Sequence, residues 1–147
     1  MLEDILEARA REFAGRGLRE KNESKTALLV SDWPEEEFGF EPSLFSTVLE
    51  TEAAPCPAGV TFKGLPCSGF IYHQGFVYPT VSWSVLLGID PPEVPVYAVT
   101  YHLGFALELA GPCRIEKVDP KAYKDVDRPF CSRRIGNLYL GNLDISP

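Results

Sequence analysis

The sequence predicts an all-β barrel or sandwich, on three observations. Short apolar segments of strand length recur from Thr26 to Ile145 at spacings of about eight to twelve residues. Twelve glycines and thirteen prolines punctuate them, too many for a helical bundle, because a proline inside a helix costs about 3 kcal/mol. Strand patterns never alternate with helical ones, which excludes a βαβ nucleotide-binding sheet. A chain of 147 residues, 45% hydrophobic, is long enough for one domain with its own core.

The elements follow in order. At the N-terminus Leu2, Ile5, Leu6 and Phe13 form one apolar stripe at helical spacing, with Glu3, Asp4 and Glu7 ahead of Arg9, Arg11, Arg16 and Arg19. This predicts a helix of about fourteen residues that frays at Gly15 and Gly17, then a charged linker over Glu20–Lys25. Residues 1–26 are therefore read as helix and linker, and 27–147 as the β domain. The stripe suits docking on the chain's own domain or on a partner, and self-association through this helix is one expectation.

"TALLVSDW" reads as a buried strand stopped by Pro34 and Glu35–Glu37. "FGF" and "STVLETE" predict two more strands around a turn at "EPSLF", and Ala54–Gly69, dense in proline and glycine, predicts a long loop. Phe70–His73 and Phe76–Val81 flank Gln74-Gly75 as a hairpin, whose turn type the sequence leaves open. Ser82 is placed to cap a short helical turn that stops at Gly88. Two strands surround His102–Gly104, "CRIEKV" is another, and "RRIGNLYLGNLDI" is a final pair turning near Gly136-Asn137.

Composition narrows the function. A net charge of −7 and a pI near 4.8 leave no basic stripe to displace counterions, so nucleic acid is excluded as a partner. No apolar run reaches the roughly 18 residues of a membrane span, and the first residues lack a signal peptide's apolar core, so no membrane insertion and a cytoplasmic location are expected. Cys56, Cys67, Cys113 and Cys131 are widely spaced with no C-x-x-C pair, which favours free thiols over zinc. Cys56 and Cys67 bracket a loop that a disulfide could close, against the reducing conditions of a cytoplasm.

Chemistry finds little support. His73 and His102 have no Asp, Ser or Cys at the spacing of a nucleophilic arrangement. "GNLYLG" and "GLPCSG" lack the lysine and hydroxyl of a phosphate loop, and "EEEFGFE" lacks calcium-loop spacing. The expectation is a domain with no catalytic residue, no metal and no cofactor. Such a domain works through its surface, and Tyr72, Phe76, Tyr78, Trp83, Tyr97 and Tyr101 are more aromatic groups than a small barrel buries.

The stretch "GFIYHQGFVYPTVSWSVLLG", with Gly69, Gly75, Pro79, Leu87 and Gly88 in register, resembles the hallmark of the CheW-like domain of bacterial chemosensory signalling. "FGFEPSLFSTVLETEAAPCP" upstream and "VPVYAVTYHLGFALELAGPCRIEKV" downstream resemble the flanking strands, so the resemblance covers Ala27 to Ile145. It implies two small intertwined five-stranded barrels of SH3-like type, no cofactor, no catalysis, and an adaptor that couples chemoreceptors to a CheA-type histidine kinase. The chain departs from the pattern at three charged positions. Gln74 replaces the turn arginine, Ser82 an aspartate, and Thr47 a glutamate ahead of Val48-Leu49. Joint loss of arginine and glutamate avoids an unpartnered charge. The resemblance places partner contacts at Thr47, Gln74, Gly75 and Ser82, with Tyr72 and Phe76 as neighbouring contacts. The rival expectation is an interaction or assembly module outside kinase coupling that uses its N-terminal helix.

Overall fold

Two β-sheets divide the chain unevenly in the computed structural model, which describes residues 25–143. The expected N-terminal helix lies outside the described residues. The described residues open with β1 (Thr26–Asp32) and β2 (Glu37–Phe40) in the first sheet. It then builds the whole second sheet from β3 (Phe45–Leu49), β4 (Ala54–Pro55), β5 (Thr61–Phe62), β6 (Leu65–His73), β7 (Phe76–Ser82), β8 (Pro95–Thr100) and β9 (Ala106–Ala110). A short helix, α1 (Trp83–Leu87), separates β7 from β8. The chain returns to finish the first sheet with β10 (Cys113–Val118), β11 (Lys124–Arg128), β12 (Cys131–Ile135) and β13 (Leu138–Gly141).

The first sheet runs β10-β1-β2-β13-β12-β11 and the second β3-β8-β9-β7-β6-β4, with β5 pairing β6. Each ladder is an open path rather than a closed ring. The surplus over the expected five strands lies in the additions β11 in the first sheet and β4 and β5, of two residues each, in the second. Both sheets carry one parallel pair, β2 with β13 and β7 with β9, because these neighbours are joined by long excursions rather than hairpins.

Three apolar clusters explain why β1 and β8 read as continuous apolar runs. Leu28 and Val30 of β1 point into the first lobe with Val118 and Leu138, whereas Leu29 faces the other lobe. Tyr97 and Val99 of β8 point into the second lobe with Ile71 and Ala106, whereas Val96 and Ala98 face the first. Both faces of these strands are buried, so the period-two signal disappears. Trp83, wholly buried at the start of α1, packs edge-on against Phe38 at 5.4 Å and Phe40 at 4.9 Å. A side chain from the second lobe thus fills the centre of the shared core, and burying a group of this size contributes roughly 2–3 kcal/mol.

Two expectations change, and one strand is additional. Residues 54–69 are not one long loop: Thr61–Phe62 and Leu65 onward form a small hairpin at Lys63-Gly64, both in the left-handed region (φ 50° and 80°). Lys-Gly is a weaker turn signal than Asn-Gly, which hid it. The strand expected over Ser46–Glu52 stops at Leu49. Residues 124–128, "KDVDR", form an edge strand paired with β12. Its four charged residues suit an exposed edge, where charge protects a strand from pairing with other chains.

Candidate functional site

The β6–β7 hairpin reaches beyond the second lobe. Its turn puts Gln74 at φ 50° and Gly75 at φ 85°, the paired left-handed conformations of a type I′ turn, which twists the two strands in the sense the sheet needs. Below the turn Ile71 pairs Tyr78, and these rings and methyls belong to the lobe's interior cluster. Period-two alternation then forces Tyr72 and its direct partner Val77 outward. At the tip Phe76 pairs His73, past the end of the interior, and its ring lies 6.4 Å from that of Tyr78. Tyr72, Phe76 and Val77 are 70%, 65% and 64% exposed, a concentration of large apolar surface on one projecting element.

Beside the tip lies an open cleft of about 490 Å³, lined by Ser46, Thr47, His73, Gln74, Tyr78, Thr100 and Tyr101. β3 brings Ser46 and Thr47 to it by pairing with β8 through a register shift between Phe45 and Thr47. The Thr100 hydroxyl donates to the Phe105 carbonyl at 2.8 Å and that of Ser46 to the Val99 carbonyl at 3.3 Å, so these two hydroxyls serve the backbone. The lining holds no carboxylate, lysine or arginine. Its chemistry is that of hydroxyls, an amide, an imidazole and two phenols.

The structure therefore brings Thr47 and Gln74 together, with Gly75 and Phe76 at the adjoining tip and Tyr72 on the hairpin's outer face. Ser82 is a correction. It is buried, 3% exposed, and its Oγ lies 2.8 Å from Oγ of Ser84, without capping the α1 backbone. β7 is paired on both sides, by β6 and β9, so Ser82 lies buried at its C-terminal end, away from the exposed hairpin tip. Val77, Ser46 and Thr100 were missed in the sequence. Alternation from buried Ile71 would have found Val77, whereas Ser46 and Thr100 depend on the β3–β8 register, which no local pattern reveals.

The charged groups lie elsewhere. Arg114 on β10 bridges Asp32 (2.5 Å), Glu116 (2.9 Å) and Glu37, and this guanidinium holds the Asp32 carboxyl below the usual carboxylate range. Arg128 grips Glu36 with two hydrogen bonds of 2.5 and 3.0 Å. Among the described residues no group of three His, Cys, Asp or Glu side chains is arranged to hold a metal ion, and no helix is long and apolar enough to cross a membrane.

The two-lobed β architecture matches that of a solved scaffolding protein, TtCheW from Thermoanaerobacter tengcongensis, with a TM-score of 0.66 over 81% of this chain and 85% of that one, at 14% sequence identity. The fold is CheW-like. No family model matches the chain, and no curated protein matches it in sequence. At this identity the likeness establishes the fold, and what the surface binds has to be argued from the side chains.

Proposed function

We propose that this CheW-like protein is a non-catalytic adaptor of chemosensory signalling that couples a chemoreceptor to a CheA-type histidine kinase by protein–protein binding in the cytoplasm, with no cofactor. The observation that carries the reading is the projecting β6–β7 tip, with Phe76 exposed at the Thr47–Gln74 cleft and Tyr72 and Val77 exposed on the hairpin's other face, on a fold shared with a scaffolding protein. Exposed aromatic groups at a rigid hairpin are suited to act as anchors, which carry most of the energy in protein interfaces. In this reading Phe76 and Tyr72 are the anchors, Gln74 and Thr47 supply hydrogen bonds from the neutral cleft, and Gly75 sets the turn. Ser82 contributes only by shaping the start of α1.

The neutral cleft also favours a second reading, an assembly module that no longer couples a kinase and uses its N-terminal segment to associate. One experiment separates them: titration of the full chain and of a chain lacking Met1–Glu20 against the regulatory domain of a CheA-type kinase, with self-association followed by sedimentation. Kinase binding that survives the deletion supports the adaptor. Absent kinase binding, together with self-association that the deletion abolishes, supports the assembly module.

A further inference from the structure

Cys56 and Cys67 meet where β4 crosses the edge of β6. The ladder pairs Ala54 with Phe70 and Pro55 with Gly69, so Cys56 leaves it at the level of Ser68. On the other side of β6 the register slips: Cys67 pairs Val81 and Gly69 pairs Thr80, which makes Ser68 the extra residue of a bulge. A bulge breaks the strict alternation of faces along a strand. Ser68 turns its hydroxyl onto Thr80, donating to the carbonyl at 3.1 Å and lying 2.8 Å from Oγ1, and Cys67 comes round towards β4. Cys67 donates its thiol to the Gly69 carbonyl at 3.2 Å, and partial burial together with the neighbouring Cys67 thiol pushes the Cys56 thiol up.

Facing Cα atoms of neighbouring antiparallel strands lie about 4.5–5.5 Å apart, and Cys67 is next in the chain to Ser68, the residue at the level of Cys56; a disulfide bridges Cα atoms about 4.4–6.8 Å apart. Both thiols are half-buried, open to a small oxidant. Cys113 and Cys131 sit on β10 and β12 of the first sheet, apart from this pair, and burial pushes each of them up to about 11.

We infer that Cys56 and Cys67 are a redox-modification site that closes reversibly to a disulfide, fastening β4 and the β5–β6 hairpin to the body of the second sheet. With glutathione disulfide as oxidant, a thiolate of the pair attacks one glutathione sulfur, forming a mixed disulfide and releasing one glutathione thiolate. The second cysteine, as its thiolate, displaces the second glutathione and forms the Cys56–Cys67 bond. Two protein thiols are oxidised, one glutathione disulfide is reduced to two glutathiones, and the two protein protons pass to the released thiolates. The closed loop contains Phe62, whose ring packs on Phe105 at 6.0 Å, so the bond reinforces a hairpin otherwise held by two-residue strands.

The test uses the full chain, incubated folded in glutathione buffers from fully reduced to fully oxidised and then trapped by alkylation. Mass spectrometry of the intact chain is expected to show the loss of two hydrogens, peptide mapping a single Cys56–Cys67 link, and thermal unfolding a raised Tm that dithiothreitol returns to its starting value. Cys56→Ser and Cys67→Ser, with circular dichroism confirming the fold, are each expected to stop at a glutathione adduct on the remaining cysteine. Overturning results are a folded wild type that gains only glutathione adducts, one that stays fully alkylatable in oxidised buffer, or a link that involves Cys113 or Cys131.

Discussion

Thr47 on β3 and Gln74 in the β6–β7 turn line one cleft, although they belong to strands at different places in the second sheet's order. These are the two positions at which the resemblance to the CheW-like pattern places a glutamate and an arginine, and both line the same cleft. Restoring that pair should show a coupling that neither single change predicts. Thr47→Glu and Gln74→Arg are each expected to be neutral or mildly destabilising, and the double variant to recover about 0.2–1 kcal/mol relative to their sum, the range of a partly exposed ion pair. Urea denaturation of the four proteins measures it; strictly additive effects would show that the two side chains do not meet.

The turn itself separates folding from recognition. Gln74 holds φ 50°, a conformation that asparagine adopts with less strain, and Asn-Gly is the favoured type I′ pair. Gln74→Asn should stabilise the fold by about 0.5 kcal/mol while removing one methylene from the cleft. A lower melting temperature would contradict the turn assignment.

Tyr97 and Glu108 make the fold sensitive to alkali. Tyr97, 4% exposed, donates its hydroxyl to the Glu108 carboxylate at 3.0 Å, and burial together with that charge pushes its pKa from 10.0 up to about 12. The stability carried by the neutral phenol is fully present below pH 10 and is lost as pH rises towards 12, on the order of 2 kcal/mol in all. Cys113 and Cys131, raised from 9.0 to about 11, add a loss of the same sign that begins earlier. Tyr97→Phe should cost about 1 kcal/mol near neutrality and flatten the alkaline limb of the stability profile. Identical alkaline limbs in wild type and variant would rule out the tyrosine as the source.

Arg128 ties the β11 edge to the β1–β2 turn. Its guanidinium stacks over the Tyr139 and Phe38 rings at 4.6 and 5.3 Å while it grips Glu36, both partners being about one-fifth exposed (22% and 21%). Arg128→Ala should cost about 2 kcal/mol, and Arg128→Lys should recover less than half of it, because an ammonium reproduces neither the fork nor the stacking. Full recovery by lysine would reduce the contact to a simple charge pair.

Most of the β elements were legible because their punctuation is local. Pro34, Gly88 and Gly136-Asn137 mark ends that the structure keeps, and Gln74-Gly75 marks the hairpin that carries the site. What was not legible depends on distant partners. Ser82 looks like a surface cap until its burial beside β9 is seen, and "KDVDR" carries no strand pattern of its own until β12 offers an edge. Gly69 shows the same limit from the other side: a Cβ there would lie 2.5 Å from the Ala54 carbonyl oxygen, so the glycine is required by the approach of β4, which no pattern around residue 69 announces.

The most direct test of the adaptor reading is calorimetric titration of wild type, Phe76→Ser and Tyr72→Ser against the regulatory domain of a CheA-type kinase. Both side chains are largely exposed, so melting temperatures should hold within the error of surface substitutions, about 0.5 kcal/mol. Saturable wild-type binding in the micromolar range, about −8 kcal/mol, is expected, weakened roughly tenfold or more by Phe76→Ser. Absence of wild-type binding at high protein concentration, or binding that neither substitution alters, would contradict it.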